Sequence, residues 1–320
     1  MVEVKIFRVT AVVVGALALA AVLPNVAQAA TYCVQNPQCV ANGGSERGTL
    51  PAAVTIANSV PGHDVIEVGP GRIAFAGPSV EASGNDGVDI VGQGQGSTTL
   101  VASTTMNQPV LTLNAESAVV KNLSIAVPDG ANNTTALSLP SGGAEDIRLY
   151  TEGTIAGRVT AIDATSDMSD VFMRRIKIDW PLNNSGSTTP IGVNAVATGS
   201  DVITLQDSEI SAYGAVAVQP KSNGHVNIDR VDIKAMAIGV FFGCPNATAC
   251  TATMHDSRIA IRNFPGANDT VVSGVALISN GAANSSGVMS VNHTSITLDG
   301  SDAANTIGVA SRIGSFNLQN

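Results

Sequence analysis

Aromatic side chains and charge are both scarce in this chain. Of its 320 residues 3% are aromatic, with one Trp, three Tyr and seven Phe, which argues against the bulky core of an ordinary globular domain. Charged residues make up 13%, about half the usual share of roughly 25%. Basic residues are the scarcer kind, 16 Lys and Arg against 25 Asp and Glu, for a net charge of −9. That balance argues against a nucleic-acid partner, because phosphate contacts need clustered Lys and Arg. The apolar fraction of 44% is ordinary and argues against disorder.

Long hydrophobic runs are missing after the first one. Residues 1–29 read as an export signal: Lys5 and Arg8 give the positive start, Ala11 to Leu23 is a thirteen-residue apolar run, and Ala27-Gln28-Ala29 supplies the small residues of a cleavage site. A membrane span takes about 20 apolar residues, and Pro24 and Asn25 end this run early. Cleavage after Ala29 leaves 14 basic and 24 acidic residues, a net charge of −10, and no membrane span. The expected location is secreted, extracellular or at the cell surface.

Only four cysteines occur, Cys33, Cys39, Cys244 and Cys250, in two pairs of identical C-x5-C spacing. In an oxidising compartment local pairs of this kind read as disulfide staples of loops. A metal site would need His or Cys partners nearby, and only His255 lies near either pair. His63, His225 and His293 fall on other parts of the repeat, so no metal site is expected.

What the chain does have is a repeat. Seven segments share a polar–apolar–polar–apolar pattern, with first apolar residues Leu123, Ile147, Ile176, Ile210, Val231, Ile259 and Ile296, at intervals of 21 to 37 residues. Strict alternation over four or five residues marks a half-buried strand. A second strand follows each anchor, as in Ile191-Gly192-Val193 and Ile238-Gly239-Val240-Phe241, and a third precedes each, as in Val202-Ile203-Thr204-Leu205. Three short strands per turn, stacked turn on turn, predict an all-β, single-stranded parallel β-helix with an aliphatic interior. A sandwich expects hairpin signals every 8–12 residues or so, and a propeller four strands per repeat. The open end needs a cap. Thr49 to Ser59 supplies a short helix, with Thr49 as N-cap, Pro51 in the first turn, and Leu50, Ala53, Val54 and Ala57 on one face. The expected organisation is a signal peptide over 1–29, an N-terminal segment with capping helix over 30–64, and the β-helix over 65–320.

The stretch Thr49-Leu50, Ala53, Ala57-Asn58, Pro61-Gly62, Asp64 and Ile66 resembles the N-terminal motif of secreted bacterial right-handed parallel β-helix proteins of the pectin-lyase-like superfamily. Val88 to Gly94 with Thr99-Leu100-Val101 is similar to their first coil. Gly48 stands where that motif has Cys, and Pro51-Ala52 where it has Arg-Glu. The resemblance implies a right-handed coil. It does not choose an activity, since the superfamily holds lyases, hydrolases, tailspikes and surface proteins.

Of the polygalacturonase motifs only Arg175-Ile176-Lys177 is present, and paired carboxylates for glycoside hydrolysis are not evident. Aligning the seven segments on their anchors puts Arg148, Lys177, Ser211, Asp232, Ala260 and Thr297 in one outward column. Tyr150, Asp179, Tyr213, Lys234, Arg262 and Asp299 form the next. Nine of the 14 basic residues of the mature chain lie on or beside this face, with two of the three tyrosines and Trp180. The strip therefore predicts a carbohydrate-binding face for an extracellular or cell-wall polysaccharide. Tyr150, Trp180 and Tyr213 would stack on sugars, and Arg148, Arg175 and Lys177 would pair with carboxylates. The competing reading is a solvated ladder of charge pairs. The expected role is non-catalytic, and a lyase acting on a uronate-containing polymer is the alternative function; Lys177 would be its base and Asp179 a ligand for Ca2+. Without that chemistry no cofactor is expected.

Overall fold

The computed structural model describes residues 29–75, 80–83, 86–102, 108–166, 169–180, 190–244, 250–262, 275–281, 287–299, 307–311 and 315–319. The expected signal segment lies outside them except for Ala29. Alternating apolar residues turn this chain into strands, and every pairing between the described strands is parallel. Each strand pairs with the one a full turn later, so three sheets wind around one axis as a parallel β-helix. The coil is right-handed, the sense that parallel crossovers take almost without exception. None of the described helices is long and apolar enough to cross a membrane.

The first sheet runs from Thr31–Val34 and Asp64–Val68 to Ser315–Gln319, the second from Gly71–Phe75 to Ser295–Asp299, and the third from Val80–Ala82 to Ile307–Ser311. Where corners are tight, Val202–Val218 and His225–Cys244 pass unbroken through all three. Inward residues stack in columns. The first sheet contributes Ile66, Ile90, Val120, Ala144, Met173, Leu205, Ile228 and Met254. The second contributes Ile73, Leu100, Ile125, Leu149, Ile178, Ile210, Ile233 and Ile259. Leu111, Leu137, Ile162, Val193, Val216 and Val240 come from the third. None of these is more than 2% exposed. Each buried aliphatic side chain is worth roughly 1.5–3 kcal/mol.

The corner between the first and second sheets sets the register. One residue per coil turns it in the left-handed backbone region: Asn122, Asp146, Arg175, Asp207, Arg230, Asp256 and His293, with φ from 47° to 58°. Asn and Asp tolerate this conformation, whereas other side chains pay roughly 1–2 kcal/mol. Counting from these residues corrects the alignment made on apolar anchors. Ile147 and Ile176 take the first inward position after the corner, and Ser208 and Ser257 take the same place in later coils. Ile210 instead pairs with Ile178 and Ile233. Ser208 and Ser257 are each 5% exposed. Their hydroxyls donate to the Gln206 and His255 carbonyls and accept the Ile176 and Val231 N–H at 3.0 and 3.1 Å. A slip of two residues keeps inward residues inward, so alternation alone does not reveal it.

The N-terminal helix forms as its sequence predicts. Helix Leu50–Ala57 is capped by the Thr49 hydroxyl, which accepts the Ala52 N–H at 3.3 Å, and it buries Leu50, Ala53, Val54 and Ala57. Thr31–Val34 lies before this helix in the chain yet pairs in register with Asp64–Val68, so the first sheet begins ahead of residue 65. Both cysteine pairs are bonded, Cys33–Cys39 and Cys244–Cys250, with Cα separations of 5.7 and 5.9 Å.

Two substitutions separate an inward from an outward position in the second sheet. Ile210→Ala is expected to cost about 2–5 kcal/mol of unfolding free energy, and outward Thr297→Ala within about 0.5 kcal/mol. Ser208→Ala strands the Ile176 N–H and is expected to cost about 1–3 kcal/mol. Urea titration measures all three. Replacing both Cys244 and Cys250 by Ser is expected to cost about 2 kcal/mol, the value for closing so short a loop.

Candidate functional site

The corrected register redraws the outward strip. On the second sheet Arg148, Lys177, Glu209, Asp232 and Arg258 succeed one another, and beside them Tyr150, Asp179, Ser211, Lys234 and Ala260. Arg148, Tyr150, Lys177 and Asp179 are therefore neighbours, as expected. Tyr213 is not: it sits at the irregularity between Ala212 and Gly214, outside the Tyr150 column. Arg175 occupies the corner rather than a strand. Trp180 is 3% exposed and packs in the core, its indole N–H without a partner among the described residues. The expectation that it stacks on a sugar at the surface is corrected by that burial. Its place follows the outward Asp179, so alternation turns it inward.

Most cations of the strip are already engaged. Arg148 donates to Asp179 at 2.8 Å and lies over the Tyr150 ring, 5.0 Å from its centroid. Lys177 Nζ is 3.7 Å from Glu209, which also accepts from Lys234 at 2.7 Å. Arg175 bridges Asp146 and Glu145, and Arg230 bridges Asp207 and Asp229. Because successive coils lie about 4.8 Å apart, alternating signs at the corner neutralise one another along the axis. Hydrogen bonds from Arg175, Arg230 and Lys234 hold the carboxyls of Asp146, Asp207 and Glu209 below their ordinary range. Such exposed pairs are worth little individually, but they leave little free charge on this face. Among the described residues no three His, Cys, Asp or Glu side chains converge so as to hold a metal ion.

The third sheet carries a different feature, a pocket of about 230 Å³. Its outward column reads Glu81, Thr112, Ser138, Asp163, Asn194, Ala217, Phe241 and Ile278, polar at first and apolar later. The pocket opens where the character changes. Ile191, Ile238 and Phe241 form its apolar walls, Asn194 and Gln219 bring amides, and Arg158 stands at the rim. Gln219 donates to Asn194 at 3.1 Å and Asn194 to Asp163 at 3.0 Å, which orients the amides. The Arg158 guanidinium makes no ion pair with the described residues. Gly214 supplies the hollow: a Cβ there would find nothing nearer than the Pro190 carbonyl at 3.9 Å. The sequence reading missed this site, because Gly214 signals it only once Ile191 and Ile238 are known to flank it.

No protein-family model and no curated protein sequence matches the chain. Among solved structures it is similar to the ORF18 protein of Geobacillus virus E2, at 9% identity and a TM-score of 0.42, over 84% of this chain and 60% of that one. It is also similar to a pectin methylesterase in complex with a hexasaccharide, at 12% identity and a TM-score of 0.42, over 86% and 81% of the two chains. The A-module of a mannuronan C-5 epimerase from Azotobacter vinelandii follows, at 11% identity and a TM-score of 0.33, over 83% and 94%. The chain has a parallel β-helix fold. That assignment rests on its own parallel register, since likenesses this distant carry no weight on substrate or chemistry.

The pairs at the corner and on the second sheet are expected to make this β-helix acid-sensitive. Asp146, Asp207 and Glu209 titrate lower in the folded chain than when unfolded. Their stabilisation is complete above the unfolded values of about 3.9–4.3 and is lost as the pH falls through the folded ones. The Tm is expected to drop as the pH is lowered from about 5 to 3, and less steeply in Glu209→Gln. Calorimetry at low salt measures both slopes.

Proposed function

We propose that this is an extracellular β-helix protein that binds a polysaccharide at the third-sheet pocket without cleaving it. The observation that carries the reading is the pairing of an apolar wall with oriented amides around one hollow. A sugar ring has the same division, with apolar faces and a hydroxyl rim: Phe241 suits the face, Asn194 and Gln219 the hydroxyls. The volume lies below the roughly 300–1,000 Å³ of pockets that enclose a small molecule. One unit of a chain running along the sheet fits it better. Arg158 would receive a carboxylate where the unit is acidic. The net charge of the mature chain opposes polyanions at long range, so local contacts would carry the affinity.

The spacing of the carboxylates opposes cleavage. The described carboxylates in the outward column of the third sheet, Glu81 and Asp163, stand three strand steps apart, about 14 Å at 4.8 Å per step. Glycosidase pairs are at most about 9.5 Å apart. The lyase alternative, with Lys177 as base and Asp179 holding Ca2+, would use the second-sheet strip instead, after opening the pairs to Glu209 and Arg148.

Affinity electrophoresis through gels of neutral and uronate polymers tests the reading. Retardation without product is expected, weakened about tenfold by Phe241→Ala, in line with losing about 1.4 kcal/mol. Gly214→Leu fills the hollow and is expected to abolish retardation while leaving the Tm nearly unchanged. Arg158→Ala is expected to affect uronate polymers more than neutral ones. Ultraviolet-absorbing unsaturated products that vanish in Lys177→Ala would overturn the proposal in favour of the lyase.

A further inference from the structure

The first strand sets a backbone nitrogen against a buried acid. Asp64 is 0% exposed. Its Oδ1 accepts the Ala30 N–H at 2.7 Å, while Oδ2 has no partner among the described residues. Among the described residues no Lys, Arg or His side chain forms an ion pair with it. Neighbouring His63 turns to Asp89 at 3.2 Å, and Arg47 lies over the Tyr32 ring. Buried carboxylates are ordinarily matched by an opposite charge, and an unmatched one is costly. A peptide N–H brings one hydrogen and no charge. The same nitrogen as a free α-amine brings three donors and a positive charge.

The small-residue site Ala27-Gln28-Ala29 ends immediately before this nitrogen. We propose that Ala30 is the mature N-terminus and that its ammonium is the counter-ion of Asp64. Register holds the two together. Thr31 pairs with Val65, and the Ala30 carbonyl accepts the Val65 N–H at 2.9 Å, so residue 30 is fixed beside Asp64. Cleavage one residue earlier would put the charge on Ala29, which is exposed, and cleavage one residue later would remove the Asp64 partner. Removal of the leader thus completes an ion pair that fastens the first strand over the N-terminal end of the coil. The inference is independent of the carbohydrate reading and rests on the export signal.

Two measurements test its parts separately. The intact mass of protein exported by a secreting host is expected to correspond to a chain starting at Ala30; another start overturns the cleavage site. Chains starting at Ala30, with the amine free or acetylated, are then compared with Asp64 present and with Asp64→Asn. Acetylation is expected to lower the Tm by about 5 °C or more with Asp64 and by less than about 1 °C with Asn. Equal effects in both backgrounds overturn the pairing even if the start is right. Should Asp64→Asn fail to fold, amine-reactive labelling of the native chain decides. The α-amine is expected to react more slowly than in the urea-unfolded chain, and equal rates overturn the pairing.

Discussion

The coils of this chain bury one another, so the parallel hydrogen-bond register between successive turns is the interaction on which core, corner and pocket all depend. An inward aliphatic side chain gains its full burial when the next coil places another directly above it, as Ile178 does beneath Ile210 and Ile210 beneath Ile233. A narrow prism needs no large side chains, which explains the few aromatics.

The corner shows how register is held where apolar matching is indifferent. Arg175 and Arg230 adopt a backbone conformation that disfavours them, and each is compensated by a carboxylate one coil earlier, Asp146 or Asp207. Ser208 and Ser257 do the same work from inside, bridging backbone groups of adjacent coils. The ladder reading of the second-sheet charges and the binding reading compete for the same side chains, and the ion pairs favour the ladder there.

Fold class was legible because alternation, aliphatic content and recurrent strand triplets all point one way. The capping helix was legible from Thr49, Pro51 and the spacing of Leu50, Ala53, Val54 and Ala57. The alignment of coils was not, because Ser208 and Ser257 occupy positions that the pattern reserves for Ile, and a shift of two preserves polarity. The binding strip inherited that slip at Tyr213, which lies outside the Tyr150 column, whereas Trp180 faces inward by the alternation itself. The pocket was hidden for another reason. It is a gap at Gly214 between residues of neighbouring coils, a relation that no single segment carries.

Contacts between adjacent turns also bear on how the molecule is built in time. Every strand finds its partner within a few tens of residues, so long-range searching is limited, and growth from one end is as feasible as collapse of the whole. A polypeptide that emerges in extended form from its N-terminal end is free to lay down its rungs in the order in which they appear.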